Sequence, residues 1–117
     1  MSDRDAFVQY LDHFIGTVYQ WGGDDPMDGF DCSGLVKWAW SQAGIELPHQ
    51  SSSIIRSVTG TSLGELAPGD VIWYPGHIEL ALGVGDSFVH APSRGKTVEV
   101  KAGHRRLQRL RFGDPLA

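Results

Sequence analysis

Two kinds of hydrophobic spacing divide this chain. In the first third, apolar residues recur at intervals of three and four. Phe7, Val8, Leu11, Phe14, Ile15 and Val18 predict a helix over 5–18. Leu35, Val36, Ala39 and Ala43 predict a second over about 33–43, with Asp31 as its N-cap and Gly44 as its C-terminal stop. Between the two, QWGGDDPMDG is loop chemistry, dense in Gly, Asp and Pro. The segment LPHQSSSIIRSV is ambiguous between loop and short helix. From Asp70 onward the spacing changes to two. VIWY, HIELALG, SFVHA, TVEVK and RLQRLRF predict strands, separated by PG, VGD, PSRG and AGH turns. Helices first and a mostly antiparallel sheet of five to six strands after them make an α+β fold.

Length adds that this is one unit. A chain of 117 residues suffices for one compact domain and is too short for two, so residues 1–117 are read as a single domain. At 41% hydrophobic and 21% charged it can bury a core without disulfide staples. Charge is unevenly spread. Seven of the 14 acids precede Cys32, and seven of the 10 Lys and Arg lie between Arg94 and Arg111. A basic segment raises the question of nucleic acid. Here the basic residues alternate with apolar ones, as on one solvated strand face, so no nucleic-acid partner is expected. No apolar run approaches the roughly 18–20 residues of a membrane span. The opening MSDRDAFVQY has no apolar signal-peptide core. The expected protein is soluble and monomeric.

The chemistry starts from the single cysteine, in FDCSGLVKWAW. One cysteine excludes an intrachain disulfide and a cysteine-based zinc cluster. Cys32 sits between Asp31 and Ser33 at the predicted start of a helix, and Gly34 keeps the first turn uncrowded. Unpaired N–H groups and the helix dipole favour an anion there, which makes a thiol more reactive. A buried free cysteine acting as a small hydrophobe is the plain alternative, and its polar neighbours argue against it. A cysteine nucleophile needs a base. Of five histidines, His77 opens one predicted strand and His90 closes the next. A hairpin would bring them together, giving a relay in which Cys32 attacks, His77 carries the proton and His90 orients His77. His13 and His104 are read as ordinary structural residues. A zinc site on His77 and His90 lacks an obvious third ligand, so neither metal nor cofactor is expected.

YQWGGDDPMDGFDCSG, LPHQSS, LAPGDVIWY, GHIELALG and FVHA follow in order the motifs of the NlpC/P60 family of papain-like cysteine peptidases. The resemblance runs from about Tyr19 to Ala91. It implies a minimal papain-like domain, in which a helix bearing the cysteine packs on a sheet bearing the histidines. It also implies hydrolysis of amide bonds in peptidoglycan stem peptides, often the γ-D-glutamyl bond to a diamino acid. By position Cys32 corresponds to the nucleophile, His77 to the base and His90 to the third polar residue. Tyr19 corresponds to a tyrosine beside the nucleophile that helps hold substrate or oxyanion. Asp31 and Ser33 correspond to a flanking pair that contacts the peptide, and His49 to a position where relatives often carry Arg or His. Trp21, with Gly22 and Gly23, reads equally as substrate contact or as a tight turn anchored by an aromatic.

One residue departs from the family pattern. Relatives usually read HVGIYLG, with a small residue where this chain has Glu79. Period-two geometry puts Glu79 on the face of His77. It would there alter the proton affinity of His77 or bind a cationic substrate group, but the expectation is a solvated edge carboxylate. The hairpin between His77 and His90 is also one residue longer than usual. The leading expectation is a wall-peptide endopeptidase. The alternatives are an N-acetylmuramoyl-L-alanine amidase or acyltransferase using the same Cys–His site, and an inactive phage-tail or wall-binding module. With no signal segment expected, a phage-encoded enzyme, one released to the wall, or a cytoplasmic one are the candidate settings.

Overall fold

The computed structural model describes residues 4, 14–83, 87–103 and 110–116. Two short strands, β1 (Asp24–Asp25) and β2 (Gly29–Phe30), form a small hairpin ahead of helix α1 (Cys32–Ser41). Helix α2 (Ser51–Ser57) follows. A second sheet then takes β3 (Thr59–Thr61), β4 (Val71–Tyr74), β5 (His77–Ala81), β6 (Ser87–His90), β7 (Glu99–Ala102) and β8 (Arg111–Asp114). Its six strands lie in the order β3-β8-β4-β5-β6-β7, and every pairing is antiparallel. Two helices on an antiparallel sheet are the α+β arrangement that the spacing predicts.

Helix α1 forms where the pattern places it, and its ends show why. Asp31 adopts an extended backbone, and its carboxylate accepts from the Gly34 amide at 2.7 Å. That bond satisfies one of the amides a helix leaves open at its start, and such a cap contributes about 1 kcal/mol. At the other end Gly44 has φ of 81°, with Ile45 N–H bonded to Trp40 C=O and Gly44 N–H to Ser41 C=O. This is a Schellman stop, which requires a residue at ease in the left-handed region. The ambiguous segment does hold a short helix, α2.

Two expectations are corrected. The predicted helix over 5–18 does not reach Val18. Residues 5–13 lie outside the described set. Phe14 is fully buried, but the chain turns at Gly16, whose φ is 88°. The backbone beyond pairs with the 96–98 segment instead: Gly16 N–H to Val98 C=O, Val98 N–H to Thr17 C=O and Tyr19 N–H to Lys96 C=O. Ile15 thus lies in the turn, and Val18 in the extended segment beyond it. Of RLQRLRF, residues 106–109 lie outside the described set, and Leu110 precedes the strand that begins at Arg111. Its partner β3, reading TGT, carries no apolar alternation and joins the sheet as an edge through β8.

The sheet buries both faces. On one side Val71, Ile78, Leu80 and Val89 pack with Leu35, Val36, Ala39 and Trp40 of α1 and with Phe14 and Phe30. The Trp40 indole N–H donates to the buried Gly69 carbonyl at 2.8 Å, so this large side chain is buried without stranding its donor. On the other side Leu66, Ile72, Ala81 and Phe88 form a second, smaller cluster. Arg4 ties the 66–70 segment to β8 through Asp70 Oδ1 at 2.8 Å and Asp114 Oδ1 at 2.7 Å.

Gly34 faces the Gly23 carbonyl so closely that a β-carbon would overlap it. Gly34→Ala is expected to push the 20–23 turn off the start of α1 and cost about 1–3 kcal/mol. In a thermal melt followed by circular dichroism this is a fall of roughly 4 °C or more. A melting temperature within about 1 °C of the parent would show that the turn relaxes freely.

Candidate active site

Cys32 is the first residue of α1, and the Asp31 carboxylate holds its surroundings. Oδ1 accepts from Gly34 N–H, from the Ser33 hydroxyl at 3.3 Å and lies 2.9 Å from His49 Nε2. Oδ2 accepts from Gly22 N–H at 3.1 Å, while Asp31 N–H donates to the Gly23 carbonyl. Asp31, Ser33 and His49, expected to meet substrate, are therefore joined to one another in this structure. Trp21 does not anchor its turn. Its side chain is 74% exposed, and the turn is made by Gly22, at φ 73°, and the Gly23 N–H bond to Gln20 C=O. Tyr19 is half-buried and packs against the core beside Cys32. Burial, with the charges of Cys32 and Asp31 behind it, holds its hydroxyl above the usual phenol range, so it stays a protonated donor.

The histidines come together as the hairpin predicts. Strands β5 and β6 pair Leu80 with Val89 and Ala81 with Phe88. Continuing that register sets Glu79 opposite His90, with His77 two residues along on the same face. His77 Nε2 lies 2.9 Å from His90 Nδ1, and His90 Nε2 lies 3.1 Å from Glu99 Oε1 on β7. The rings are wedged by edge contacts, His77 with His90 and Phe88 with His90, each at 5.0 Å between centroids.

Glu79 is corrected from a solvated edge carboxylate to a buried one, 2% exposed. The reason is the second small core, which covers the face the sequence left open: Ile72, directly across from Glu79, and Phe88 both belong to it. Glu79 Oε2 stands 3.3 Å from His77 Nε2 and 3.5 Å from His90 Nδ1. It is also the third donor that a metal reading lacked, since one atom from each of the three residues falls within 4.8 Å of the others. The two nitrogens are joined to each other, and the arrangement is that of a proton relay.

Electrostatics divide the two rings. Burial works against charge on His77, but hydrogen bonds to Cys32 and Glu79 and the negative charge of both outweigh it and raise its pKa to about 9. His77 is therefore an imidazolium at neutral pH. His90 moves the other way: burial lowers it, its bond to Glu99 opposes, and the charge on His77 lowers it further. A neutral His90 that donates its Nε2–H to the Glu99 carboxylate leaves Nδ1 to accept from His77 Nε2–H, and His77 Nδ1 is then the nitrogen left for Cys32. Glu99 was missed in the sequence. The signal available was its period-two position in TVEVK, which the β6–β7 pairing sets opposite His90.

A cysteine on a helix start, bonded to a charged histidine that a second histidine steadies, is an arrangement that can activate a thiol. Comparison with known proteins supplies the family. The chain belongs to the NlpC/P60 family, whose model matches residues 16–112. It is 43% identical over 101 residues to a Mycobacterium tuberculosis protein named "Probable endopeptidase Rv2190c", covering 85% of this chain and 26% of that protein. It is 33% identical over 108 residues to the "Bifunctional muramidase/DL-endopeptidase CwlT" of Bacillus subtilis, covering 86% of this chain and 33% of that one. This chain thus spans about a quarter to a third of the length of these relatives. Among solved structures, the NlpC/p60 domain of the peptidoglycan hydrolase SagA superposes with a TM-score of 0.79 at 30% identity, over 93% of this chain and 95% of that one.

Iodoacetamide at pH 7 is expected to alkylate Cys32 readily, and His77→Ala to slow that reaction about tenfold by removing the adjacent positive charge. Equal rates in the two proteins, followed by mass spectrometry, would show that the thiol is not coupled to His77.

Proposed function

We propose that this domain hydrolyses peptidoglycan stem peptides at the γ-D-glutamyl bond to a diamino acid, through a Cys32 thioester. The observation that carries the reading is the bonded series Cys32, His77, His90 at the start of α1. Names of relatives as endopeptidases support it.

The steps follow from the groups present. The Cys32 sulfur attacks the amide carbon, and the carbonyl oxygen becomes an oxyanion. The Cys32 amide, at the helix start where amides lack intrahelical partners, and the Tyr19 hydroxyl are the donors for it. His77 gives its proton to the departing amine as the C–N bond breaks, leaving a thioester. Water then attacks the thioester as His77 takes its proton, and the C–S bond breaks to free the acid and the thiolate. The exposed Trp21 offers a flat apolar face for the substrate chain.

A second reading has one observation behind it. RipD of Mycobacterium tuberculosis, described as a non-catalytic NlpC/p60 domain adapted to peptidoglycan binding, superposes with a TM-score of 0.82 at 20% identity. Likeness at that level reaches the fold alone, so the side chains must decide. The intact Cys32–His77–His90 series favours catalysis.

The protein incubated with L-Ala-γ-D-Glu-diaminopimelate should release the diamino acid, seen by mass spectrometry, and Cys32→Ala should abolish release by a factor of about 10³ or more. Intact peptide alongside solubilised sacculi would move the bond to the glycan junction and support an amidase. No change in either would favour a binding module.

The pH profile has a defined sign. The leaving amine needs the proton on His77, and that proton is lost as pH rises through about 9. Activity per substrate concentration, kcat/KM, should hold through neutral pH and fall above about 9. A fall already centred near 6.5, the unperturbed histidine value, would contradict the charged His77.

A further inference from the structure

Glu79 sets this site apart from a plain Cys–His–His relay. Its carboxylate is enclosed between the second core cluster and the histidine pair, and a single oxygen touches a nitrogen of each ring. Burying a carboxylate requires a cation or donors beside it, and His77 supplies both. In a site screened from water, its charge acts on His77 more strongly than it would in solution. Among the described residues, the charged and titratable groups around His77 are these. Cys32 stands before it on α1, with Tyr19 beside that thiol and Arg94 acting on Tyr19. The Tyr74 ring lies 5.2 Å away on β4. His90 is on β6, with Glu99 behind it on β7 and Lys101 3.7 Å beyond.

We propose that Glu79 is a positioning residue that favours the proton on His77 after Cys32 has been acylated, so that its main effect falls on hydrolysis of the thioester. For the reaction step this rests on the peptidase reading above; for the coupling of Glu79 to His77 it does not. In the free enzyme two groups that favour its charged form face His77, Cys32 and Glu79. Attack on the amide turns Cys32 into a thioester sulfur, which carries no charge, and the proton leaves with the amine. His77 is now neutral and must take a proton from water as that water's oxygen bonds to the thioester carbon. His90, neutral and fixed by Glu99, offers a dipole. Glu79 is the carboxylate still in contact with Nε2, and it stabilises the imidazolium that forms as the water attacks, before the C–S bond breaks.

Two measurements test this, and neither needs a wall peptide. In a Cys32→Ala background, the His77 ring signals titrated by NMR should have a midpoint about 1 pH unit or more lower when Glu79→Gln is added. Unchanged midpoints overturn the proposal whatever the substrate is. In the parent thiol protein, p-nitrophenyl acetate acylates Cys32. With Glu79→Gln the acetyl-enzyme should persist about tenfold longer, its mass accumulating in the intact-protein spectrum, while the initial burst slows much less. Equal slowing of both phases overturns the assignment to thioester hydrolysis. Glu79→Asp keeps the charge and should restore most of the turnover. If it behaves as Glu79→Gln does, packing and not charge is responsible and the proposal fails. Because the ester replaces the peptide, a protein that never cleaves wall material can still pass or fail both arms.

Discussion

The Asp31 carboxylate is the contact on which the site's geometry depends. A helix start must be capped by something, and here one side chain caps α1 while also binding the 20–23 turn through Gly22 N–H and the α1–α2 connection through His49. The reciprocal bond from Asp31 N–H to the Gly23 carbonyl closes the turn against the helix, and only the missing side chain of Gly34 lets that carbonyl come so near. Two loop segments and the start of α1 are thereby referenced to the residue before Cys32. Cys32 needs no further support of its own, because its backbone is set by its neighbour. Polar groups that a sequence reader would assign to substrate can thus be occupied in shaping the cleft. Of the residues expected to meet substrate, Trp21 is the one left exposed.

Much of this was legible in order, and the failures have physical causes. Helix α1 was readable because its cap, its apolar stripe and its glycine stop agree with one another. The hairpin was readable because HIELALG and SFVHA each alternate, and a hairpin of that length had to set His77 near His90. The helix over 5–18 overran because Ile15 and Val18 keep a helical interval across Gly16, and spacing does not register the φ of 88° that ends it. Strand β3 was invisible because a strand recruited as an edge draws its bonds from β8 and needs no apolar face. Glu79 was misjudged for a related reason. Local spacing tells which face a residue is on, but whether that face is covered depends on Leu66 and Phe88, residues 13 and nine positions away in the chain. Glu99 was missed for want of the β6–β7 pairing that sets it opposite His90.

The same burial acts on two neighbouring imidazoles and has opposite outcomes, which is how the site assigns roles. Both rings are about equally enclosed, at 9% exposure each. Burial alone would leave both neutral. His77 meets Cys32 and Glu79 and becomes the charged partner; His90 meets that charge, and its bond to the half-exposed Glu99 orients it without charging it. A relay with one proton to move needs this asymmetry, since two neutral rings could exchange tautomers and two charged ones would repel. That asymmetry is set by two carboxylates, Glu79 and Glu99, placed at definite registers of β5 and β7, so a change of one residue there redistributes the proton between the rings while the strands that carry them keep their pairing.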